Sequence, residues 1–134
     1  MKTPPAFLTT KLVQEIHQRM IAEFGGDAGL RDQGLLEAAV AMPMATFGGQ
    51  FLHPSVPEMV AAYLFHICKN HPFVDGNKRT ALATSLVFLD LNNYSVKASD
   101  STLEALTLGV ADGRVDKQAT TAFFKMHARK LRKR

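Results

Sequence analysis

The sequence has a single cysteine, Cys68, so no disulfide can close within the chain. It has no long apolar run either. The most hydrophobic stretches, Val60 to Leu64 and Leu86 to Leu89, fall far short of the ~20 residues that a membrane helix needs. Met1 to Lys11 holds one early lysine and then Pro4-Pro5, without the apolar centre of a secretory signal. A soluble, cytoplasmic protein is expected. Repeats, low-complexity tracts and an interdomain linker are absent, as are the interleaved surface aromatics of a nucleic-acid stacking surface.

What is present suits one domain spanning residues 1–134, with 46% hydrophobic residues to fill one core. The net charge of +4 is unevenly placed. Lys125, Arg129, Lys130, Arg132, Lys133 and Arg134 form a basic tail with no acid among them, while residues 1–124 carry ten basic and twelve acidic groups, a balance of −2. Such a tail can hold nucleic acid or an acidic partner. The plainer expectation is a solvated helix end, where cations suit the dipole.

Helical periodicity dominates. Thr9 or Thr10 can cap a first helix whose Leu12, Val13, Ile16, Met20, Ile21 and Phe24 share a face, ended by Gly25-Gly26. Asp32 can cap a second, stopping before Pro43. Ser55-Val56-Pro57-Glu58 has capping-box form and opens a third that runs to about Asn70. A fourth, from about Asn77 to Leu91, is apolar nearly all round, as a buried central helix would be. Tyr94 to Lys97 reads as one short extended piece. Ser101 and Glu104 repeat the capping-box spacing, Gly113 closes that helix, and Asp116 can cap the last. The fold class is all-α: a helical bundle around a buried helix.

Between the third and fourth helices stands His71-Pro72-Phe73-Val74-Asp75-Gly76-Asn77-Lys78-Arg79-Thr80. A loop feeding a helix N-terminus offers free N–H groups and partial positive charge, which suit phosphate. Gly76 lets the backbone approach a ligand. Lys78 and Arg79 oppose the helix dipole by a few tenths to ~1 kcal/mol, a cost that an anion would relieve. Asp75 beside an anion site calls for a bridging Mg²⁺, and could also cap the helix. His71 can take a proton from a hydroxyl near neutral pH, and Asn77 can hold a phosphate oxygen or the metal. These are the parts of phosphoryl or nucleotidyl transfer. Phe73 reads as a plug into the core. His66, Cys68 and His71 match no familiar zinc spacing, and His17, His53 and His127 read as incidental.

The segment resembles the Fic/Doc signature His-x-Phe-x-Asp/Glu-Gly/Ala-Asn-x-Arg. Gly25-Gly26, the Leu30-Arg31-Asp32 turn with Leu35-Leu36-Glu37, and Gly109 to Gly113 are similar to the short Doc branch. The adenylylating pattern has glycine where this chain has Lys78, and a second, phosphate-clamping arginine where it has Leu82. The Asn77 to Ala81 run is similar to Doc instead, although Gly76 replaces the Doc alanine. The resemblance implies a helical Fic/Doc fold and a kinase that uses ATP and Mg²⁺. It would phosphorylate a threonine of a translation factor, elongation factor Tu. His71 is then the base, Asp75 the metal carboxylate, and Gly76, Asn77, Lys78 and Arg79 the phosphate cradle. Thr46 to Pro54 corresponds to a flap that docks target backbone in relatives.

Alternatives are an adenylyl or other nucleotidyl transferase on the same scaffold, or a non-catalytic binding partner. Relatives that silence themselves carry Ser/Thr-x-x-x-Glu-Gly/Asn. Here the residues four before Glu15, Glu23, Glu37, Glu58 and Glu104 are Lys11, Arg19, Gln33, Pro54 and Asp100. Restraint is therefore expected from a separate antitoxin, whose disordered C-terminal segment folds onto the toxin in Doc-like pairs.

Overall fold

The computed structural model describes residues 4–131. Helix α1 (Thr10–Phe24) starts where the Thr9 hydroxyl accepts from the Leu12 N–H at 3.1 Å, and ends at Gly25, whose φ of 89° few other residues tolerate. Helix α2 (Gln33–Ala41) is capped by the Asp32 carboxylate, which accepts from the Leu35 N–H at 2.9 Å. A 3₁₀ turn, Met42–Met44, follows around Pro43. Two-residue strands β1 (Thr46–Phe47) and β2 (Gln50–Phe51) then make an antiparallel hairpin. Its Gly48 and Gly49, at φ 59° and 80°, supply the paired left-handed turn that such hairpins need.

Helix α3 (Val56–Asn70) buries Met59 through Leu64, Ile67 and Cys68, and carries the centre of the molecule. It packs most extensively on α4 (Asn77–Leu91), and also meets α2, α5 and α6. The sequence pattern pointed to α4 as the central helix. Helix α4 does bury Ala81, Phe88 and Leu89, together with small polar Thr80, Thr84 and Ser85, while Val87 and Leu91 stand at the surface. Ala61 and Ala62 on α3 and Ala81 on α4 are fully buried, and small side chains let two helices approach closely.

Ser55 caps α3 as expected, but its hydroxyl donates to the Glu58 carboxylate at 2.6 Å instead of leaving that acid to the backbone. Strand β3 (Tyr94–Val96) leads to α5 (Asp100–Ala111), capped by Ser99 and not by Ser101. The Ser99 hydroxyl accepts from the Thr102 N–H at 3.1 Å, which leaves Ser101 and Glu104 inside the helix. Asp116 caps α6 (Lys117–His127).

Of the basic tail, Lys125 lies in the last turn of α6, while Arg129 and Lys130 do not extend that helix. After His127 the chain turns into β4 (Ala128–Lys130), antiparallel to β3 with Val96 opposite Ala128 and Tyr94 opposite Lys130. Arg132, Lys133 and Arg134 lie outside the described residues. Among those described, no helix is long and apolar enough to cross a membrane.

Candidate functional site

The motif loop joins the C-terminus of α3 to the N-terminus of α4, at one end of the most extensively packed helix pair among the described residues. His71 closes α3 in the left-handed conformation, φ 51°, with its N–H on the Ile67 carbonyl, and its side chain is exposed. Asn77 locks the loop. Its side-chain oxygen accepts from the Phe73 N–H at 2.9 Å and its amide donates to the Phe73 carbonyl at 2.8 Å. Both amide atoms are thus spent on the backbone and the residue is buried, so Asn77 shapes the turn from beneath. Phe73 is the core plug that the sequence suggested, 1% exposed.

A strap from residues 26–32 grips the loop from outside. Leu30 and Phe73 form an isolated antiparallel bridge, and the Val74 N–H donates to the Gly29 carbonyl at 2.9 Å. The N–H groups of Arg31 and Asp32 both donate to the Pro72 carbonyl. Arg31 adds its side chain, with Nε donating to the His71 carbonyl at 2.6 Å and a terminal nitrogen to the Asn70 carbonyl at 2.8 Å. A guanidinium fork thereby satisfies the open carbonyls of α3 beside the candidate base.

Gly76 is the N-cap of α4, at φ 79° and with no side-chain capping bond. The Asp75 carboxylate does not fill that role. It turns away to accept from the Asp27 N–H at 2.9 Å. The first turn of α4 therefore keeps its partial positive charge, reinforced by exposed Lys78 and Arg79. Arg79 lies over the Phe24 ring, 4.4 Å from its centre.

Asp75, Gly76, Asn77, Lys78 and Arg79 line one groove of about 630 Å³. Met20 and Phe24 of α1 bound it on one side, Glu104, Thr107 and Leu108 of α5 on the other, and Leu82 and Leu86 along α4. Leu82 thus stands in the groove wall as an apolar residue. His71 is not part of this lining; it stands outside the groove, at the exposed end of α3. The five cradle and carboxylate residues are brought together, with the base beside them on the same loop.

Asp75 offers Mg²⁺ a single carboxylate at the groove wall, and among the described residues no cluster of three or more metal-binding side chains adds to it. That ion commonly takes one or two protein carboxylates and completes its shell with phosphate and water. Burial, with Lys78 and Lys69 opposing it, pushes the Cys68 thiol up to about 12.

Two residues of the site were missed in the sequence. In the sequence Arg31 reads only as part of a turn. His17 reads there as incidental, yet it is 1% exposed, stacks on Phe73 with ring centres 3.8 Å apart, and places Nε2 2.8 Å from the Asp75 carbonyl. The signal was there. His17 falls four residues after Val13 and four before Ile21, on the apolar face of α1.

The chain matches the Fic/DOC family model over residues 7–89. It is 47% identical over 75 residues to Toxin Doc of Mycolicibacterium smegmatis, an alignment that takes in 56% of this chain and 58% of the relative. It is 35% identical over 100 residues to Protein kinase doc of Escherichia phage P1, covering 75% of this chain and 78% of that one. The first alignment spans less than two thirds of the relative's length, the second more. The matched region holds the loop, the strap that grips it and both helices that the loop joins, and on that ground the chain belongs to the Fic/Doc family, alongside its Doc members.

Proposed function

We propose that this chain, as one Fic/Doc domain over residues 1–134, is a Doc-type protein kinase. It transfers the γ-phosphate of ATP to a serine or threonine hydroxyl on a translation factor of the elongation factor Tu kind, and so blocks translation. The observation that carries this reading is the open N-terminus of α4. Its first-turn N–H groups, Lys78 and Arg79 face one groove with no capping side chain in the way. Free donors and two cations at one end of a cavity suit a polyphosphate.

ATP supplies the phosphoryl group, and Asp75 would hold an Mg²⁺ whose charge would offset that of the phosphates. His71 takes the proton of the attacking hydroxyl as the new oxygen–phosphorus bond forms and ADP departs. Lys78, Arg79 and the α4 N–H groups stabilise charge on the phosphates. Asn77 acts by holding the turn that carries them. An exposed base outside the groove fits a hydroxyl borne on a large protein, which could not enter the groove itself.

Leu82, apolar at the groove wall, favours phosphate transfer over nucleotide transfer, because the phosphate clamp of adenylylating relatives needs a guanidinium there. The deciding experiment incubates the purified chain, Mg²⁺ and a cell lysate with ATP labelled at either the γ or the α phosphate. Label on protein from γ-labelled ATP alone is the expected result. Transfer from the α label would move the chain to the adenylylating reading, and no transfer from either would leave the non-catalytic one.

An antitoxin with a disordered C-terminal segment is the proposed restraint, and the net charge of +4 favours an acidic one. Expression of the chain alone should arrest growth, and co-expression with the neighbouring reading frame should relieve it.

A further inference from the structure

We infer that His17 is a positioning residue for the transfer: from beneath the loop it fixes the peptide between Asp75 and Gly76, and with it the metal carboxylate and the entrance to α4. The inference rests on the phosphotransfer reading above. His17 is 1% exposed, so it cannot touch a substrate. Its ring lies parallel to Phe73, 6° between planes, and its Nε2 is 2.8 Å from the Asp75 carbonyl oxygen. A carbonyl only accepts, so Nε2 carries the hydrogen in this contact. One buried side chain thus holds two members of the motif, Phe73 by its face and Asp75 by its edge.

Filling space would not require an imidazole. Val13 and Ile16 are buried on the same helix, and an apolar side chain would occupy this volume at no polar cost. The polar edge has one named partner, and that partner precedes the residue whose backbone decides the turn. Gly76 adopts φ 79°. A peptide entering a left-handed glycine is the kind of unit that can rotate between turn types at low cost, because glycine tolerates both outcomes. Such a rotation would reorient the Asp75 carbonyl and the Gly76 N–H at the entrance to α4, and loosen the backbone that carries the Asp75 carboxylate. The His17 N–H satisfies the carbonyl in one orientation only. A Cβ on Gly76 would stand 3.6 Å from both Cδ2 and Nε2 of His17, so the ring edge tracks the backbone on both sides of that peptide. Beyond it, the Asp27 N–H holds the same aspartate by its carboxylate.

The test compares His17→Phe, which keeps the stack and loses the donor, with His17→Gln, whose amide N–H reaches about as far as Nε2. Steady-state transfer at varied ATP and Mg²⁺, thermal melting, and hydrogen exchange at the amides of residues 74–80 are read together. The Phe variant should lose about 10–100-fold in kcat with a smaller change in the KM for ATP, need more Mg²⁺, and exchange those amides about tenfold faster. The Gln variant should return to within about threefold of wild type in rate and exchange. Should the Phe variant fail to fold, His17→Met, flexible and also donor-free, replaces it with the same expectation. Wild-type rate and exchange in the donor-free variant, or a Gln variant as impaired as it, would overturn the inference. If the wild-type chain transfers no phosphate at all, the kinase reading fails by itself. The exchange series then decides His17: donor-dependent protection of residues 74–80 upholds it, and uniform protection removes it.

Discussion

His71 sits on a left-handed residue that ends a helix, exposed, with its backbone rather than its side chain tied down. Removing the imidazole therefore costs little packing and all of the proposed base chemistry. His71→Ala should melt as wild type does and lose about 10²–10⁴-fold in transfer rate. A variant that keeps more than about a tenth of the single-turnover rate would sink the base assignment. Arg31 presents the converse case, since it touches no reacting group yet holds two carbonyls beside the base. Arg31→Lys keeps the charge but cannot span both oxygens, and should cost about 1 kcal/mol of stability, read as a lowered urea midpoint. Gly76→Ala tests the branch residue. Its Cβ would crowd the movable end of Ile21, at 3.2 Å, and stand at ordinary contact, 3.6 Å, from His17, so the left-handed backbone sets the cost, about 1–2 kcal/mol, and the fold should survive.

At the scale of elements, helix ends were legible where one residue caps another three along the chain, as at Thr9, Asp32, Ser55 and Asp116. Pairings between distant residues were not. The strand after His127 gains its partner from Tyr94–Val96, and nothing local to Ala128–Lys130 distinguishes it from one more helical turn. Likewise the motif announced His71, Asp75 and Arg79, but the His17 and Arg31 contacts join positions 58 and 40 residues apart. Their chemistry is visible only once α1 and the strap fold over the loop. Two helical glycines give a sharper test of element packing. In α5, a Cβ on Gly109 would lie 2.6 Å from the Val115 methyl, so overpacking of about 1–3 kcal/mol should outweigh the ~1 kcal/mol gain in helix propensity. In α2, a Cβ on Gly34 meets nothing closer than 3.4 Å, so Gly34→Ala should stabilise by about 0.5 kcal/mol. Urea midpoints moving in the same direction for both variants would contradict this packing.

For the molecule as a whole, half-buried His66 and buried His53 contribute to the response to acid. Desolvation, then Lys117 and His53, pushes His66 down to about 4, and burial also lowers His53. The unfolded chain protonates these rings near 6.5, so between that pH and about 4 it binds more protons than the folded chain does. Stability is accordingly full above about pH 6.5 and falls as the pH drops toward 4, by about 1–2 kcal/mol for His66 once solvent screening is allowed for. Urea midpoints at pH 7.5 and 4.5 check it, and His66→Phe should flatten the difference; a midpoint that rises on acidification would refute the assignment. One corner of the fold gathers both outer segments of the described chain. The Asn92 side chain bonds the N–H and carbonyl of Ala6, and the next residue, Asn93, accepts from the Leu131 N–H at 2.7 Å. That corner stands at the opposite end of α4 from the motif, about 22 Å away along the fifteen-residue helix. A tether attached at either segment would pull on the asparagine corner first, at the end of α4 away from the loop. The protein can therefore be anchored to a surface, or its two outer segments joined into a ring, with the groove still facing solution.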